Sequence, residues 1–125
     1  MRASLLFAVT LIVVLASVSF AHGQKQTERF IPIGQSPGIS GKYTYIGTIG
    51  KTDPARRTVT VGAAEQTQVV QVADRTRIWL DRSKKKLTAL DGGYGDLQVG
   101  RRVEVKYETP DRKGVPEWIK VESGE

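Results

Sequence analysis

The sequence contains no cysteine, and its only methionine and only histidine are Met1 and His22. Without cysteine the chain forms no structural disulfide and has no thiol for a lipid anchor at its mature N-terminus. Soft metal ions need thiolate, thioether or imidazole ligands, and these side chains are too few here to build such a site. A Ser-His-Asp triad would depend on His22 alone. We therefore expect a protein without a metal, a cofactor or a catalytic centre.

The sequence also lacks helical periodicity, and it has only one long apolar run, at residues 5–20. Arg2 precedes this run, and the small residues Ser19 and Ala21 lie at its end, which is typical of a secretory signal peptide. The run is shorter than the roughly 20 residues that a spanning helix needs, and no basic stop-transfer cluster follows it. We expect cleavage of residues 1–21, with a second possible cut at Gly23. The mature protein is then periplasmic or extracellular.

The charge balance is basic, with 19 Lys and Arg residues against 13 Asp and Glu residues. Loss of the leader with Arg2 leaves 18 against 13, a net charge of +5. Export makes nucleic acid an unexpected partner, so the expected partners are anionic polymers, lipid head groups or an acidic face of an envelope protein. The alternative is a charged surface that only keeps the protein soluble.

Proline and glycine divide the mature chain into segments. Residues 22–41 are interrupted by both residue types, which predicts an irregular N-terminal arm. Phe30, Ile31 and Ile33 are its apolar residues; they either pin the arm across the domain or belong to an ordered lead-in. Residues 42–122 then form one small domain, and residues 123–125 form a polar tail.

Alternating β-forming residues predict short strands through the domain. Apolar and polar residues alternate most clearly at Val103, Val105 and Tyr107, as in a strand with one buried face. Residues 52–56 predict a turn, and residues 81–100 hold no clear strand, although Leu87, Leu90 and Leu97 are spaced to enter a core. The pattern predicts an all-β, OB-like barrel of five to six short antiparallel strands. The strands are expected at residues 42–49, 58–61, 67–72, 76–80, 101–108 and 116–121.

Four segments carry a resemblance to a known family. They are GTIGKTDP with RTVTV at 47–61, DRTRI at 74–78, GDLQVGRRVEV at 95–105 and WIKV at 118–121. Over residues 43–121 this series resembles the secreted bacterial domain of unknown function 5666, which implies a small barrel and little about function. The layout is also similar to the periplasmic copper-binding metallochaperones of efflux systems. Those use one His, two Met and a Trp, and this chain offers Trp79 without the other ligands.

The strand at 76–80 suggests a binding face. Thr76, Ile78 and Leu80 share one side of it, so the neighbouring basic and aromatic residues point the other way. Aromatic and basic side chains on an exposed barrel face can stack and pair with a ligand, although tryptophan more commonly fills a core. The charged run after this strand either binds an anionic surface or is a solvated loop. The candidate face consists of Arg75, Arg77, Trp79, Arg82, Lys84, Lys85 and Lys86.

Acid–base and phosphate chemistry find weaker support. Asp81, Asp91 and Asp96 lie in the 81–100 segment, where aspartates beside glycines commonly serve turns. Residues 91–96 lack the spacing of a calcium loop, and no lysine and serine or threonine follow the glycines to hold phosphate. The sequence therefore favours a non-enzymatic binding module for an anionic polymer or envelope partner. The alternative is an accessory subunit that pairs through a strand edge with an envelope complex.

Overall fold

The structure is a computed structural model, and it describes residues 27–64 and 66–124. The expected signal peptide and both of its possible cleavage sites lie outside the described residues. Within the described ranges, no helix is long and apolar enough to cross a membrane.

In the described part of the chain, seven strands carry the fold, and three short 3-10 helices lie between or before them. The 3-10 helices are Glu28–Phe30, Ser83–Lys85 and Tyr94–Asp96. The strands are β1 (Thr44–Asp53), β2 (Thr58–Gly62), β3 (Thr67–Gln71), β4 (Arg77–Asp81), β5 (Leu90–Asp91), β6 (Arg102–Lys106) and β7 (Trp118–Glu122). The all-β class is therefore confirmed, and each expected strand is present within a few residues of its expected position.

The strands form one mixed sheet in the order β3-β2-β1-β6-β7-β4-β5. Two details of the expected fold, the strand number and the purely antiparallel pairing, are wrong, and closure into a barrel is not confirmed. There are seven strands because residues 81–100 contribute the two-residue β5, and β4 runs parallel to β7 rather than antiparallel. The described pairings also leave β3 and β5 as two separate edges, so they form an open sheet and not a closed barrel.

The apolar core covers one face of this sheet. Most of its members come from β1, β2, β3, β4, β6 and β7, as the two-residue alternation predicts, and Val72, Leu97 and Tyr107 join them from outside the strands. The side chain of Gln68 on β3 donates a hydrogen bond of 2.8 Å to the hydroxyl of Tyr107, which directly follows β6. These strands are three positions apart in the sheet, which is about 14 Å in a flat sheet. The sheet is therefore strongly curled around its core.

A bulge in β1 helps the sheet to curl. The first half of β1 pairs with β6 and the second half with β2, and the register shifts between Ile49 and Lys51. The extra residue at this shift is Gly50. Because a bulge bends a strand and increases its twist, one ten-residue strand can follow both neighbours around the core.

Leu97 enters the core, as expected, whereas Leu87 and Leu90 do not. Leu87 directly follows the turn that ends the 3-10 helix Ser83–Lys85, and its side chain is 50% exposed. Leu90 pairs with Leu80 but stands on the two-residue edge strand β5, beyond the packed part of the sheet. The expectation that these two leucines enter the core is therefore wrong.

The second face of the sheet carries two buried charged side chains beside the buried rings of Trp79 and Trp118. Glu104 on β6 and Lys120 on β7 lie opposite each other and are almost fully buried. Burying such groups is costly unless they are paired and hydrogen-bonded, so each needs a partner above the sheet. The N-terminal arm supplies these partners.

The arm is fastened to the sheet by charge-assisted hydrogen bonds. The Lys120 ammonium lies 3.0 Å from the Glu28 carboxylate and 4.5 Å from the centre of the Trp118 ring. Glu104 accepts hydrogen bonds from the N–H of Gly34 at 3.0 Å and from the Ser40 hydroxyl at 2.6 Å. The arm therefore lies across the domain, held by these polar contacts and by the buried Ile33, whereas Phe30 is 50% exposed and does not pin it.

Candidate functional site

Strand β4 has the expected alternation. Ile78 and Leu80 contact the core, whereas Arg77 and Trp79 belong to the opposite face. Trp79 is nevertheless buried, at 7% exposure, and its ring lies 5.5 Å from that of Trp118 with an angle of 36° between the planes. Trp79 therefore packs beside Trp118 and does not offer an exposed ring to a ligand.

The basic residues of the expected face are divided between the two ends of β4. Arg75 and Arg77 are exposed at the beginning of the strand, while Arg82, Lys84 and Lys85 follow its end. The Cα atoms of Arg77 and Asp81 are about 13 Å apart at the usual rise of a strand. The candidate residues thus form two separate groups rather than one continuous face.

The group at the end of β4 belongs to a cleft. Because β4 and β7 are parallel, their C-terminal ends lie at the same end of the sheet, and β6 begins there since it is antiparallel to β7. Three chain segments meet at this point and enclose a volume of about 420 Å³. The cleft is lined by Asp81, Arg82, Lys84, Lys85, Gly100, Arg101, Arg102, Glu122, Ser123 and Gly124.

Five of the lining side chains are basic and two are carboxylates, and both carboxylates already have partners. Asp81 accepts hydrogen bonds from the N–H of Ile33 at 2.9 Å and from the N–H of Ser83 at 2.8 Å. Burial alone would raise the pKa of Asp81, but hydrogen bonds from the Ser83 side chain and from the N–H groups of Ile33 and Ser83, together with the charge of Lys120, hold it below 3.8. Glu122 pairs with Lys84 at 2.8 Å. The cleft therefore keeps an excess of positive charge.

Two of the arginines are held in place by the backbone. The Nε of Arg82 donates to the carbonyl of Thr88 at 2.7 Å. Arg101 donates to the carbonyl of Asp96 at 3.1 Å, and its guanidinium lies so close to Gly124 that an added Cβ there would stand 2.7 Å from Nη2. Both guanidinium groups keep further N–H donors for a ligand because each group has five.

Two other cations have no protein partner. Within residues 27–64 and 66–124, the side chains of Lys85 and Arg102 make neither an ion pair nor a hydrogen bond. Both are exposed, and Arg102 extends toward Gly34 of the arm, where an added Cβ would lie 3.6 Å from Nη2. Two unpaired cations beside two positioned guanidiniums can bind neighbouring anionic groups of one ligand.

Lys86, the last residue of the expected basic run, does not line the cleft. It ends the 3-10 helix Ser83–Lys85 in the left-handed conformation, with a φ of 58°. Sequence reasoning also missed Arg101 and Arg102 as site residues. The available signal was the adjacent pair of arginines directly after Gly100, but nothing local indicates that this pair meets the Arg82–Lys85 segment.

Metal binding finds no further support in the geometry. The described residues contain no group of three His, Cys, Asp or Glu side chains that could hold a metal ion. Asp96 accepts a hydrogen bond from the N–H of Gly93 at 2.8 Å and so serves the turn, while Asp91 pairs with Arg29 of the arm at 3.4 Å.

No family model, curated protein or solved structure matches this chain.

Proposed function

We propose that this protein is a non-enzymatic binding module that holds an anionic polymer in the basic cleft. The main support for this proposal is that five basic side chains from three segments meet in the cleft. Both carboxylates of the cleft already have protein partners, Asp81 in backbone N–H groups and Glu122 in Lys84. A polymer with regularly spaced carboxylate, sulfate or phosphate groups would meet several of these cations at once. The proposal includes export, so the polymer would be one outside the cytoplasm.

The arrangement supports binding rather than mere surface charge. A surface lysine usually swings freely, whereas the guanidiniums of Arg82 and Arg101 are positioned by backbone carbonyls. Positioned donors lose less conformational entropy when they bind an anion. The open cleft can also admit a chain that continues beyond it, as a polymer requires.

The fold interpretation that goes with this proposal is an OB-like barrel. The curled sheet and the Gln68 hydrogen bond to Tyr107 across its core side support it. A high-resolution structure in which β3 lies close to the other half of the sheet around the core, while its outer hydrogen-bonding groups stay free, would establish a partly open barrel of this kind. Two edges far apart would replace this interpretation with a curled open sheet.

The binding proposal is tested by measuring affinity for labelled heparin and polygalacturonate at low and high salt. A double variant, Lys85→Ala with Arg102→Ala, should weaken binding by roughly tenfold or more, because it removes two ionic contacts. The salt dependence of its remaining binding should be smaller for the same reason. Arg75→Ala with Arg77→Ala removes the same charge at the other end of β4 and is the matched control. It should change affinity only about twofold through the net charge.

Three outcomes contradict the proposal. Equal losses for the two double variants would mean that the protein binds by net charge alone. Binding that does not weaken with salt would point to an apolar partner. Binding to anionic vesicles but to neither polymer would identify lipid head groups as the ligand instead.

A further inference from the structure

The two edges of the sheet differ in how they are protected. Edge strand β5 has only two residues, carries Asp91, and is contacted by Arg29 of the arm. Edge strand β3 has five residues, Thr67–Gln71, and contains no charged residue, proline or bulge. Exposed edges normally carry such features because they prevent pairing with other chains. Because β5 is protected against pairing with another chain and β3 is not, β3 is the edge at which another strand can add to the sheet.

The free hydrogen-bonding groups of β3 follow from its register with β2. The N–H of Val72 donates to Arg57, and the N–H of Ala63 donates to Gln66, so the even-numbered residues of β3 face β2. Thr67, Val69 and Gln71 therefore direct their N–H and C=O groups away from the sheet. All three residues are exposed, and Val69 reaches 65%. The described part of the chain offers no backbone partner for these groups.

We propose that β3 is a homodimerisation edge, at which a second copy of this chain adds its own β3 antiparallel with Val69 opposite Val69. A two-fold axis through this position matches every free group: Thr67 pairs with Gln71 of the second copy, and Val69 pairs with itself. Each pair is of the hydrogen-bonded type, and the two sheets become one continuous sheet. The core faces also stay on the same side, since residues directly opposite share a face.

The composition of the edge favours a second copy over an unrelated strand. With the two-fold axis at position 69, residue 69 meets its own equivalent, so a charge at this position would face a like charge. The five residues of β3 avoid this because all are uncharged, and the exposed Val69 side chains form an apolar contact across the axis. The cleft lies at the end of the β4, β6 and β7 strands, so dimerisation and polymer binding fail or succeed independently.

Cysteine cross-linking tests the register. The chain has no native cysteine, so Val69→Cys introduces a unique thiol. Opposed residues of a hydrogen-bonded pair have Cα atoms about 5.5 Å apart, a separation that a disulfide spans. Val69→Cys should form a disulfide dimer on mild oxidation, whereas Val99→Cys, at an equally exposed loop valine, should not. Equal cross-linking of both variants would overturn the proposal.

Sedimentation equilibrium tests the association itself. The wild-type chain should show a reversible dimer, and Val69→Lys should raise the dimer dissociation constant at least tenfold because two lysines then meet at the axis. Val99→Lys is the matched control and should behave as wild type. Circular dichroism melts check that both variants are folded, which their exposure predicts. A wild-type chain that stays monomeric up to about 1 mM would refute the proposal. So would equal dissociation constants for both variants.

Discussion

At the residue scale, Gly47 shows how a single missing side chain permits a strand pairing. It faces the core side of β1, where an added Cβ would stand 2.9 Å from the carbonyl carbon of Gly62 and from a methyl group of Val61. The carbonyl oxygen of Gly62 would be closer still. Backbone atoms of a paired strand cannot move aside cheaply, so β1 and β2 pair this closely only because residue 47 is glycine.

Replacing Gly47 by alanine should therefore destabilise the protein by about 1–3 kcal/mol, the usual cost of overpacking. Gly50 in the same strand is the matched control, since an added Cβ there meets nothing within 4 Å. Gly50→Ala should change the free energy of unfolding by less than about 0.5 kcal/mol or raise it slightly. Urea unfolding of both variants is the measurement. Equal stabilities would show that β1 and β2 do not approach as described.

At the element scale, the arm functions as a cover for the polar face of the sheet. Lys120 has 1% exposure of its side chain, and its ammonium contacts Glu28, Ser36 and the Trp118 ring. Glu104 accepts from two arm residues and from Thr44 of β1. Without the arm these charges would face water, so the arm and the sheet face are expected to order together.

Glu28→Gln should lower the free energy of unfolding by about 2–4 kcal/mol, because it removes the carboxylate that forms the ion pair with the buried Lys120 ammonium. Adding Lys120→Met should restore much of that loss. Glu117→Gln is the control, since it breaks the more exposed pair between Glu117 and Lys106, which has the same 3.0 Å separation. Its effect should stay below about 1 kcal/mol.

Guanidinium unfolding followed by tryptophan fluorescence measures both effects, because Trp79 and Trp118 lie on the face that the arm covers. A loss for Glu28→Gln no larger than that for Glu117→Gln would contradict the buried pair. A double variant less stable than Glu28→Gln alone would show that Lys120 has another role in holding the sheet.

At the scale of the whole molecule, the curl of the sheet depends on contacts between strands that are distant in the sheet order. Tyr107, which follows β6, makes one of these contacts, because its buried hydroxyl accepts a hydrogen bond from Gln68 on β3. Burial raises the pKa of Tyr107 above 10, and the bond from Gln68 only partly offsets this. The folded protein therefore keeps this phenol protonated at a pH where the unfolded chain has lost the proton.

A raised pKa stabilises the fold below the unfolded value, and that contribution is lost as pH rises above about 10. Tyr107→Phe should lower the free energy of unfolding by about 1 kcal/mol at neutral pH and should flatten its decline above pH 10. Tyr43→Phe is the control, because the Tyr43 hydroxyl makes no hydrogen bond in the described residues. Thermal melts between neutral pH and about pH 11 measure both. If the stability of wild type and of Tyr107→Phe fell equally with rising pH, the raised pKa of Tyr107 would be contradicted.

The candidate site could be predicted only in part. Arg82, Lys84 and Lys85 were identifiable because local charge density is visible in a sequence. Arg101 and Arg102 joined them only through the parallel pairing of β4 with β7, since that pairing decides which strand ends meet. The same topology separated Arg75 and Arg77 from the group. Resemblance to the domain of unknown function 5666 stays a prediction.

The sequence by itself determined the strands and their faces, because alternation of apolar and polar residues is a local property with a period of two. Val103 and Val105 face the core for that reason, and Ile78 and Leu80 do so as well. Only the tertiary structure decided the strand order, the burial of Glu104 and Lys120 under the arm and of Trp79 beside Trp118, and the composition of the cleft. These depend on contacts between segments far apart in the chain, for which no local pattern provides a signal.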